Sequence, residues 1–334
     1  MAASDLSVII PTRNRATILK GLLETVSCQE TGSRFRYEVV VVDNGSSDDT
    51  SRMVEGLTAD YPVPLRCVVE PRPGKPFAAN TGIAYAQSDL LVFTDDDVLA
   101  DPGWLSGIWR CFEEAPDTEA VAGRILPLWI DGRPEWMSDQ IMGKLGTLGC
   151  LNFGPDRLVI SQSDRHYWWV GSNVAVRRSV VERFGGFDLR RARGQDVDLF
   201  DRYNAAGVKI VYEPRAVVRH KVGQERLTPE AFRAWYDRQG FYRGSGMTWR
   251  PHHLVTLMPL HCYQQWWFWA KRWWQADRSP EAFWERLSYE CRTQAWNRTF
   301  LRRLQLWPRC VLTMVTGRSF LPDSGVAGQA NPRG

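Results

Sequence analysis

Short apolar runs alternate with helix-like segments over the first hundred residues, and this alternation restricts the possible folds more than any other feature of the sequence. The runs are rich in β-branched residues and span Leu6–Pro11, Tyr37–Asp43, Leu65–Glu70 and Leu90–Thr94. Strands that are apolar almost throughout and are separated by helices are typical of a parallel sheet covered on both faces. The sequence therefore predicts an α/β fold with a mostly parallel, Rossmann-like sheet and helices on both faces.

Polar residues follow each of the four predicted strands. They are Thr12 to Arg15, Asp43 to Ser47, Pro71 to Lys75 and Asp95 to Asp97. Ligands of such sheets bind beyond the carboxyl ends of the strands, so we expect these residues to share one edge. Arg13 and Lys75 would oppose phosphate charge there, while Asp43 and Asn44 could hydrogen-bond a base or ribose. The edge therefore predicts a nucleotide diphosphate site.

Three adjacent carboxylates, Asp95, Asp96 and Asp97, close the fourth apolar run. Like charges held together cost free energy unless a cation neutralises them, and oxygen ligands suit Mg²⁺ or Mn²⁺. A polar turn without a metal is the simpler alternative. A classical dinucleotide site is disfavoured, because the first strand leads into Pro-Thr-Arg-Asn-Arg and not into a Gly-x-Gly-x-x-Gly turn.

Each residue of this edge also has a structural alternative. Asp43 could start an Asx turn before Gly45, and Arg13 and Lys75 could be solvated surface charges. The functional interpretation rests on their joint placement.

Composition and cysteine usage narrow the class of protein. The chain has 334 residues, is 44% hydrophobic and 24% charged, and is long enough for one large domain with an appendage. Its seven cysteines are scattered without CxxC spacing, which predicts neither a disulfide framework nor a zinc site and favours a reducing compartment. No charged-then-apolar leader precedes Leu6 and no run approaches a spanning length, so we expect a cytoplasmic protein.

Seven segments, in the correct order over residues 6–222, resemble the family-2 nucleotide-sugar glycosyltransferases of the GT-A fold. The segments are Ser7–Arg15, Val40–Asp48, Ala79–Ile83, Phe93–Asp97, Gly171–Ala175, Gly185–Asp188 and Gln195–Leu199. The resemblance implies a nucleotide-sugar donor, a Mn²⁺ or Mg²⁺ ion and inversion at the anomeric carbon.

The resemblance also assigns residues to the donor. It implies that Asp95 and Asp97 form the DxD pair that grips the diphosphate through the metal, with Asp96 as a rival ligand. His220, after the apolar run Ala216–Val218, would help to hold the metal or diphosphate, although a lone histidine is more often structural. The residues predicted to contact the nucleotide are Pro11, Thr12, Arg13, Asp43, Lys75, Asn80, Asp95 and Asp96.

Asp196 is the predicted catalytic base, because family members have Glu-Asp near the acceptor site and this chain has Gln195-Asp196. Loss of the neighbouring carboxylate and a helix N-terminal setting after Gly194 would both make Asp196 a weaker base. The alternative is that Asp196 only caps the helix from Val197 to Ala206. The residues predicted to contact donor or acceptor sugar are Trp169, Gly171, Ser172, Asn173 and Gln195, and Trp168 is a further aromatic neighbour.

The later part of the chain is basic and aromatic. Residues 231–334 carry 15 Lys and Arg against 6 Asp and Glu, whereas residues 1–230 carry 27 against 32, and ten of the 16 tryptophans fall between Trp235 and Trp307. Helical periodicity in Tyr263–Gln275 and Pro280–Trp307 predicts amphipathic helices that contact an anionic membrane surface or pack on the catalytic body. Nucleic-acid binding is disfavoured, because no recognised motif accompanies the charge.

Three regions are therefore predicted: a GT-A catalytic domain over 1–222, a helical extension over 223–322 and a disordered tail over 323–334. The predicted function is metal-dependent, inverting transfer of a sugar, most simply from a UDP-sugar, to a glycan or lipid-linked hydroxyl. The competing interpretation is a catalytically weak nucleotide-sugar-binding protein, because Gln195 replaces the usual glutamate.

Overall fold

The computed structural model divides the chain into two compact units. The first comprises residues 1–128 and 149–221, and the second comprises residues 129–148 and 222–334. The structure describes residues 4–138, 148–160, 170–191, 194–246, 260–279 and 282–316. The predicted tail 323–334 and the predicted sugar contacts Trp168 and Trp169 lie outside these residues.

One nine-stranded sheet forms the centre of the first unit. Its strand order is β3-β2-β1-β4-β8-β6-β9-β5, and β7 pairs with β9 off this path. The strands are β1 (Leu6–Thr12), β2 (Tyr37–Asp43), β3 (Leu65–Val69), β4 (Leu90–Thr94), β5 (Val98–Ala100), β6 (Ala120–Trp129), β7 (Leu158–Ile160), β8 (Asn173–Arg177) and β9 (Ile210–Val222).

The first four strands in the sheet order are parallel, as predicted. β1 lies between β2 and β4, with Ile9 opposite Val40 on one side and Phe93 on the other. Every residue of β2 and of β4 is buried, which explains why these strands are almost continuously apolar: helices cover both faces. The predicted α/β class is confirmed, and the carboxyl ends of the four strands lie at one edge.

The strand pairs described in the second half of the sheet are antiparallel. β8 runs antiparallel to β4, with Thr94 opposite Asn173, and β5 runs antiparallel to β9, with Val98 opposite His220. The backbone N–H of Lys221 donates to the carbonyl of Asp97 at 3.1 Å and extends this pairing by one step. The antiparallel pairing therefore brings a histidine from late in the chain beside the acids that follow β4.

Six helices of the first unit pack on this sheet or continue its strands within the described residues. α1 shows the pattern clearly, since Leu19, Leu22, Leu23 and Val26 recur at helical spacing and are all buried. The helices are α1 (Ala16–Ser27), α2 (Thr50–Leu57), α3 (Lys75–Tyr85), α4 (Trp104–Glu114), α5 (Arg178–Phe184) and α6 (Gln195–Ala205).

The second unit is built from two separate stretches of chain. Its described helices are α7 (Pro229–Gly246), α8 (Leu260–Gln275) and α9 (Phe283–Thr316), preceded by a short 3₁₀ turn at Gln224–Arg226. Trp136, from the stretch 129–148, stacks on Trp284 of α9 with ring centroids 3.5 Å apart and ring planes 11° apart. The stretch 129–148 therefore groups with the C-terminal helices, whereas the predicted boundary at 222 assigned it to the catalytic domain.

A membrane-spanning helix is not found in the described part of the chain, where each helix is either too short or too polar to cross a bilayer.

Candidate active site

The three acids after β4 have different surroundings. Asp95 forms an ion pair with the amine of Lys75, the first residue of α3. Asp96 is buried, and it accepts hydrogen bonds from the Thr12 hydroxyl at 2.8 Å and from the Arg15 guanidinium at 2.7 Å. The edge residues of β1, α3 and β4 thus meet around the carboxylates, as their order in the sheet requires.

Asp97 faces the histidine brought in by β9. Its Oδ1 atom lies 3.5 Å from Nε2 of the buried His220, and its Oδ2 atom accepts a hydrogen bond of 3.3 Å from Arg15. Gly149 lies beside the His220 ring, because a Cβ atom there would sit 3.4 Å from Nε2. A carboxylate oxygen and an imidazole nitrogen that face each other match the ligand preference of Mn²⁺.

Among the described residues no three His, Cys, Asp or Glu side chains converge as a complete metal cage. The pair Asp97 and His220 still fits an ion that a substrate completes, since Mg²⁺-type sites are commonly held by one or two protein ligands plus phosphate oxygens. Asp96 is a poorer candidate ligand than Asp97, because Thr12 and Arg15 bind its two carboxylate oxygens.

Charge at this edge is compensated by side-chain cations. Burial alone would lower the pKa of the Lys75 amine, but the carboxylate of Asp95 outweighs it, and the pKa lies above its ordinary value. Burial raises the pKa of Asp96 above its ordinary value, against the opposing influence of the Arg15 guanidinium. Lys75 and Arg15 are therefore cations paired with carboxylates, and lysine and arginine side chains are common partners of phosphate groups in proteins.

Asp43 and Asn44 organise the loops after β2 and β3. Asp43 accepts a hydrogen bond from the Ser46 backbone N–H at 2.8 Å and another from the Ser51 hydroxyl, so the Asx turn considered from the sequence is present. The Asn44 amide donates to the carbonyls of Glu70 and Arg72, and its oxygen accepts from the Gly74 N–H at 2.7 Å. These bonds fix the entrance to α3 and hence the position of Lys75.

Asp196 lies in the first turn of α6. Gly194 precedes this helix with φ +68°, a left-handed conformation that suits glycine. One carboxylate oxygen of Asp196 accepts a hydrogen bond of 3.2 Å from the Gly171 backbone N–H. The two segments approach closely, because a Cβ atom on Gly171 would lie 3.1 Å from the Cβ atom of Asp196. The absence of a side chain at Gly171 thus allows the carboxylate to reach the edge of β8.

An open pocket connects Asp196 to the Lys75–Asp95 ion pair. It encloses about 260 Å³, part of which is open solvent. Its walls include Phe93 and Phe187, whose rings pack edge to face with centroids 5.3 Å apart. The lining residues are Pro11, Lys75, Ala79, Phe93, Thr94, Asp95, Gly171, Phe187, Gln195 and Asp196.

Two buried polar atoms near this pocket lack hydrogen-bond partners among the described residues. They are Oε1 of Gln195, which lines the pocket, and Oγ of Ser172, next to the lining residue Gly171. A buried acceptor without a partner costs free energy, so such atoms often mark a place where a ligand or water completes the bonding. Both residues were predicted to contact sugar.

Asn80 and Asn173, by contrast, are engaged within the protein. The Asn80 amide donates to the Phe187 carbonyl at 2.8 Å and accepts from the Phe187 N–H at 2.9 Å, so it holds the loop after α5. Asn173 is fully buried: it donates to the carbonyls of Arg124 and Ala216 and accepts from the Trp104 indole. Both amide groups are thus bonded to backbone and core partners, and their predicted ligand contacts stay predictions.

The sequence did not predict the role of Arg15 at this edge, and the contact predicted for Arg13 has no counterpart in the structure described above. Arg15 bridges Asp96 and Asp97, but the sequence offers no signal that separates it from Arg13, and both arginines are exposed after β1. The side-chain periodicity of a strand ends with the strand, so the direction of residues in the following turn cannot be read from spacing. The remaining predicted contact Trp169 lies outside the described residues.

Comparison with known proteins places this geometry in a family. The family model "Glycosyl transferase family 2" matches residues 7–185, more than half of the chain. The pre-mycofactocin glycosyltransferase of Mycobacterium tuberculosis is 30% identical over 261 residues, which cover 77% of this chain and 50% of that protein. The glucosyl-dolichyl phosphate glucuronosyltransferase of Haloferax volcanii is 25% identical over 217 residues, which cover 62% and 65%. The chain thus spans about half to two thirds of these relatives.

Solved structures share the fold at lower sequence identity. A mannosyltransferase from Pyrobaculum calidifontis, in complex with GDP-Man and Mn²⁺, superposes with a TM-score of 0.50 at 20% identity and covers 95% of this chain and 80% of its own. Residues 1–349 of S. aureus TarS, in complex with UDP-GlcNAc, superpose with a TM-score of 0.52 at 14% identity and cover 95% and 93%. The family match, the sheet topology and these neighbours agree, and the chain belongs to glycosyl transferase family 2.

Proposed function

We propose that this protein transfers a sugar from a nucleotide-sugar donor to a hydroxyl acceptor in one inverting displacement, with Asp196 as the base. The observation that carries the proposal is the pocket that joins Asp196 to the Lys75–Asp95 pair. A transferase of this kind needs positive charge where the diphosphate departs and a base on the opposite face of the sugar. The lining of this pocket contains a candidate for each, Lys75 and Asp196.

The diphosphate end is assigned to the edge after β1 and β4. Lys75 and Arg15 would exchange their carboxylate partners for phosphate oxygens as negative charge develops on the leaving group. Asp97 and His220 would hold Mn²⁺ or Mg²⁺, and such an ion would neutralise part of the diphosphate charge. The Mn²⁺ bound with GDP-Man in the Pyrobaculum neighbour supports a divalent ion here.

The acceptor end is assigned to Asp196. Its carboxylate takes the proton of the acceptor hydroxyl while that oxygen forms a bond to the anomeric carbon. The bond between that carbon and the phosphate oxygen breaks, and its electrons leave with the diphosphate. The Gly171 N–H fixes the direction of the carboxylate, and the free acceptor atom of Gln195 offers a hydrogen bond to a sugar hydroxyl.

Donor and acceptor classes are proposed from the neighbours and relatives. Structures of related fold hold GDP-Man and UDP-GlcNAc, which supports a nucleotide-sugar donor, and we propose a UDP-sugar as the first to test. The Haloferax relative is named for a dolichyl phosphate acceptor, and a lipid-linked or glycan hydroxyl is the acceptor proposed here.

Replacing Asp196 by asparagine tests the base. Asp196→Asn keeps the size of the side chain and its bond from Gly171 but removes the proton acceptor, so we expect transfer to fall by roughly 10²–10⁴-fold. Donor affinity, measured by calorimetry with Mn²⁺ present, should remain within about two-fold because the diphosphate end is intact.

Asp49→Asn is the matched control, since Asp49 also lies at the start of a helix but pairs with Arg52 on the surface. Turnover of Asp196→Asn close to that of the control would contradict the base assignment.

A catalytically weak nucleotide-sugar-binding protein is the second candidate, favoured by Gln195 in the position of the family glutamate. Measurements of donor binding and of transfer distinguish the transferase from the binding protein. A radiolabelled donor that binds but is neither hydrolysed nor transferred by the wild-type chain would support the binding protein.

A further inference from the structure

Helix α8 of the second unit exposes aromatic side chains on its outer side. Trp267, Phe268 and Trp274 are 62%, 44% and 76% exposed. Trp267, Lys271 and Trp274 follow one another at i, i+4 and i+7, so they lie on one face of the helix. Tryptophan is usually highly buried in folded proteins, and two indoles exposed to this degree on one face mark a surface for interaction.

The opposite side of α8 already has a packing partner. The Trp266 indole donates to Asn297 of α9 at 2.8 Å, and the Trp269 ring lies 6.1 Å from the ring of Tyr289. The Arg292 guanidinium lies 4.5 Å above Trp269. One aromatic face of α8 therefore packs in the second unit through Trp266 and Trp269. The exposed face takes no part in these contacts.

Cations accompany the exposed indoles. Lys271 lies on this face, Arg272 is its neighbour in the helix, and Arg278 follows the end of the helix. None of the three has a carboxylate partner among the described residues. Arg272 lies instead over the Phe268 ring at 4.5 Å. From residue 260 to 279 the sequence has one acid, Asp277, and its carboxylate is bound by the Ser279 N–H and hydroxyl.

We propose that the outer face of α8 binds the surface of an anionic lipid bilayer. Indole rings favour the headgroup depth of a membrane, where their apolar bodies leave water and their N–H groups keep polar partners. Lysine and arginine side chains beside them would meet anionic headgroups. The face is the outer side of a single helix, which is the geometry of an interfacial helix that lies on a membrane.

A lipid surface accounts for this face better than a nucleic acid does. Proteins that bind single strands combine stacking aromatic residues with a positive groove that follows the nucleic-acid backbone. Here the two exposed indoles and the Lys271 amine share one face of a single helix, and Arg272 and Arg278 lie outside that face. The charge of residues 231–334, 15 Lys and Arg against 6 Asp and Glu, is complementary to an anionic membrane.

Co-sedimentation of the full-length chain with vesicles tests the proposal. The wild-type chain should bind vesicles that contain phosphatidylglycerol at low salt, bind pure phosphatidylcholine vesicles less, and dissociate as salt rises. Trp267→Ser together with Trp274→Ser should lower partitioning by at least about ten-fold, because apolar area is lost from the interface. Lys271→Gln should lower it by about five-fold on anionic vesicles only.

Two control variants remove an exposed aromatic ring and an exposed cation from the first unit. Tyr85→Ser removes an aromatic residue that is 53% exposed, and Arg52→Gln removes an exposed cation, and neither should change vesicle binding. Absence of binding at low salt, equal binding to neutral and anionic vesicles, or equal losses in test and control variants would overturn the proposal. Concentration-dependent dimers or a gel shift with RNA, lost in the α8 variants without any vesicle binding, would also overturn it.

The membrane proposal and the proposed reaction can be tested independently of each other. Donor hydrolysis in the absence of vesicles should be the same for the wild type and the double tryptophan variant, because these side chains lie outside the catalytic unit. Failure of the vesicle test would thus leave the proposed reaction intact, and an inactive wild type would leave the vesicle test valid.

Discussion

Two sets of polar side chains surround the same strand ends, and their partners differ in kind. Asn44, Asn80 and Asn173 are bonded almost entirely to backbone groups, with the Trp104 indole as the one side-chain partner given above. Asp95 and Asp96 are bonded to side chains, chiefly the cations Lys75 and Arg15. The amides fix the shape of the pocket. The acids bind the cations Lys75 and Arg15, and an anionic ligand could replace the acids as the partner of these cations.

This difference separates residues that are bonded to the fold from residues that are proposed to bind the donor. A backbone partner cannot leave without unfolding a loop, so an amide bonded to backbone is committed to structure. A lysine or arginine can swing from a carboxylate to a phosphate while the fold stays intact. The comparison predicts stability losses from the first set and binding losses from the second.

The largest effect is expected at Asn173. Asn173→Ala leaves the Trp104 N–H and the Arg124 and Ala216 carbonyls buried without their partner, so we expect unfolding free energy to fall by about 3–5 kcal/mol. Denaturant unfolding measures this. Asn152→Ala, which removes an exposed amide with one bond to Gly154, should cost less than about 1 kcal/mol. Equal losses in the two variants would break the comparison.

A smaller, binding-specific effect is expected at Asp97. Asp97→Asn removes a negative ligand opposite His220, so Mn²⁺-dependent donor affinity should fall by at least about ten-fold with little change in stability. Calorimetry with and without Mn²⁺ checks this. Asp101→Asn, in the neighbouring ion pair with Arg219, is the control that should keep metal-dependent affinity. The metal assignment fails if Asp97→Asn binds donor as the wild type does.

The smallest effect is expected at Arg15, which is partly exposed and shares its charge between two acids. Arg15→Gln removes one of two cations near the proposed diphosphate, so donor affinity should fall by roughly three- to ten-fold. Titration with nucleotide diphosphate alone should show the same loss, because the contact is to phosphate. If Arg15→Gln lowers the free energy of unfolding but leaves donor affinity unchanged, Arg15 has a structural role.

The sequence predicted the parallel half of the sheet because its signals are local. Four apolar runs and the polar residues after them define β1 to β4 and their shared edge. Lys75 and Asp95 were expected at that edge and meet there. Strand periodicity and the position of a turn depend on neighbouring residues only, so they can be read without the tertiary structure.

The rest depends on contacts between distant residues. Asn173 resembled a sugar contact in a family motif, but its partners come from Trp104, Arg124 and Ala216, far away in the sequence. Gly123 admits this asparagine, because a Cβ atom there would lie 2.2 Å from its amide nitrogen. The outer face of α8 was equally hidden, since both of its sides are aromatic and only packing on α9 distinguishes them.

The stacking of Trp136 on Trp284 has a practical consequence for experiments on parts of this protein. A chain shortened at residue 222 would keep Trp136 but lose the ring that covers it, and the stretch 129–148 would be left without the helices it folds with. Such a fragment would present new apolar surface and tend to aggregate. The two units are therefore better probed by point substitutions in the intact protein than by truncation.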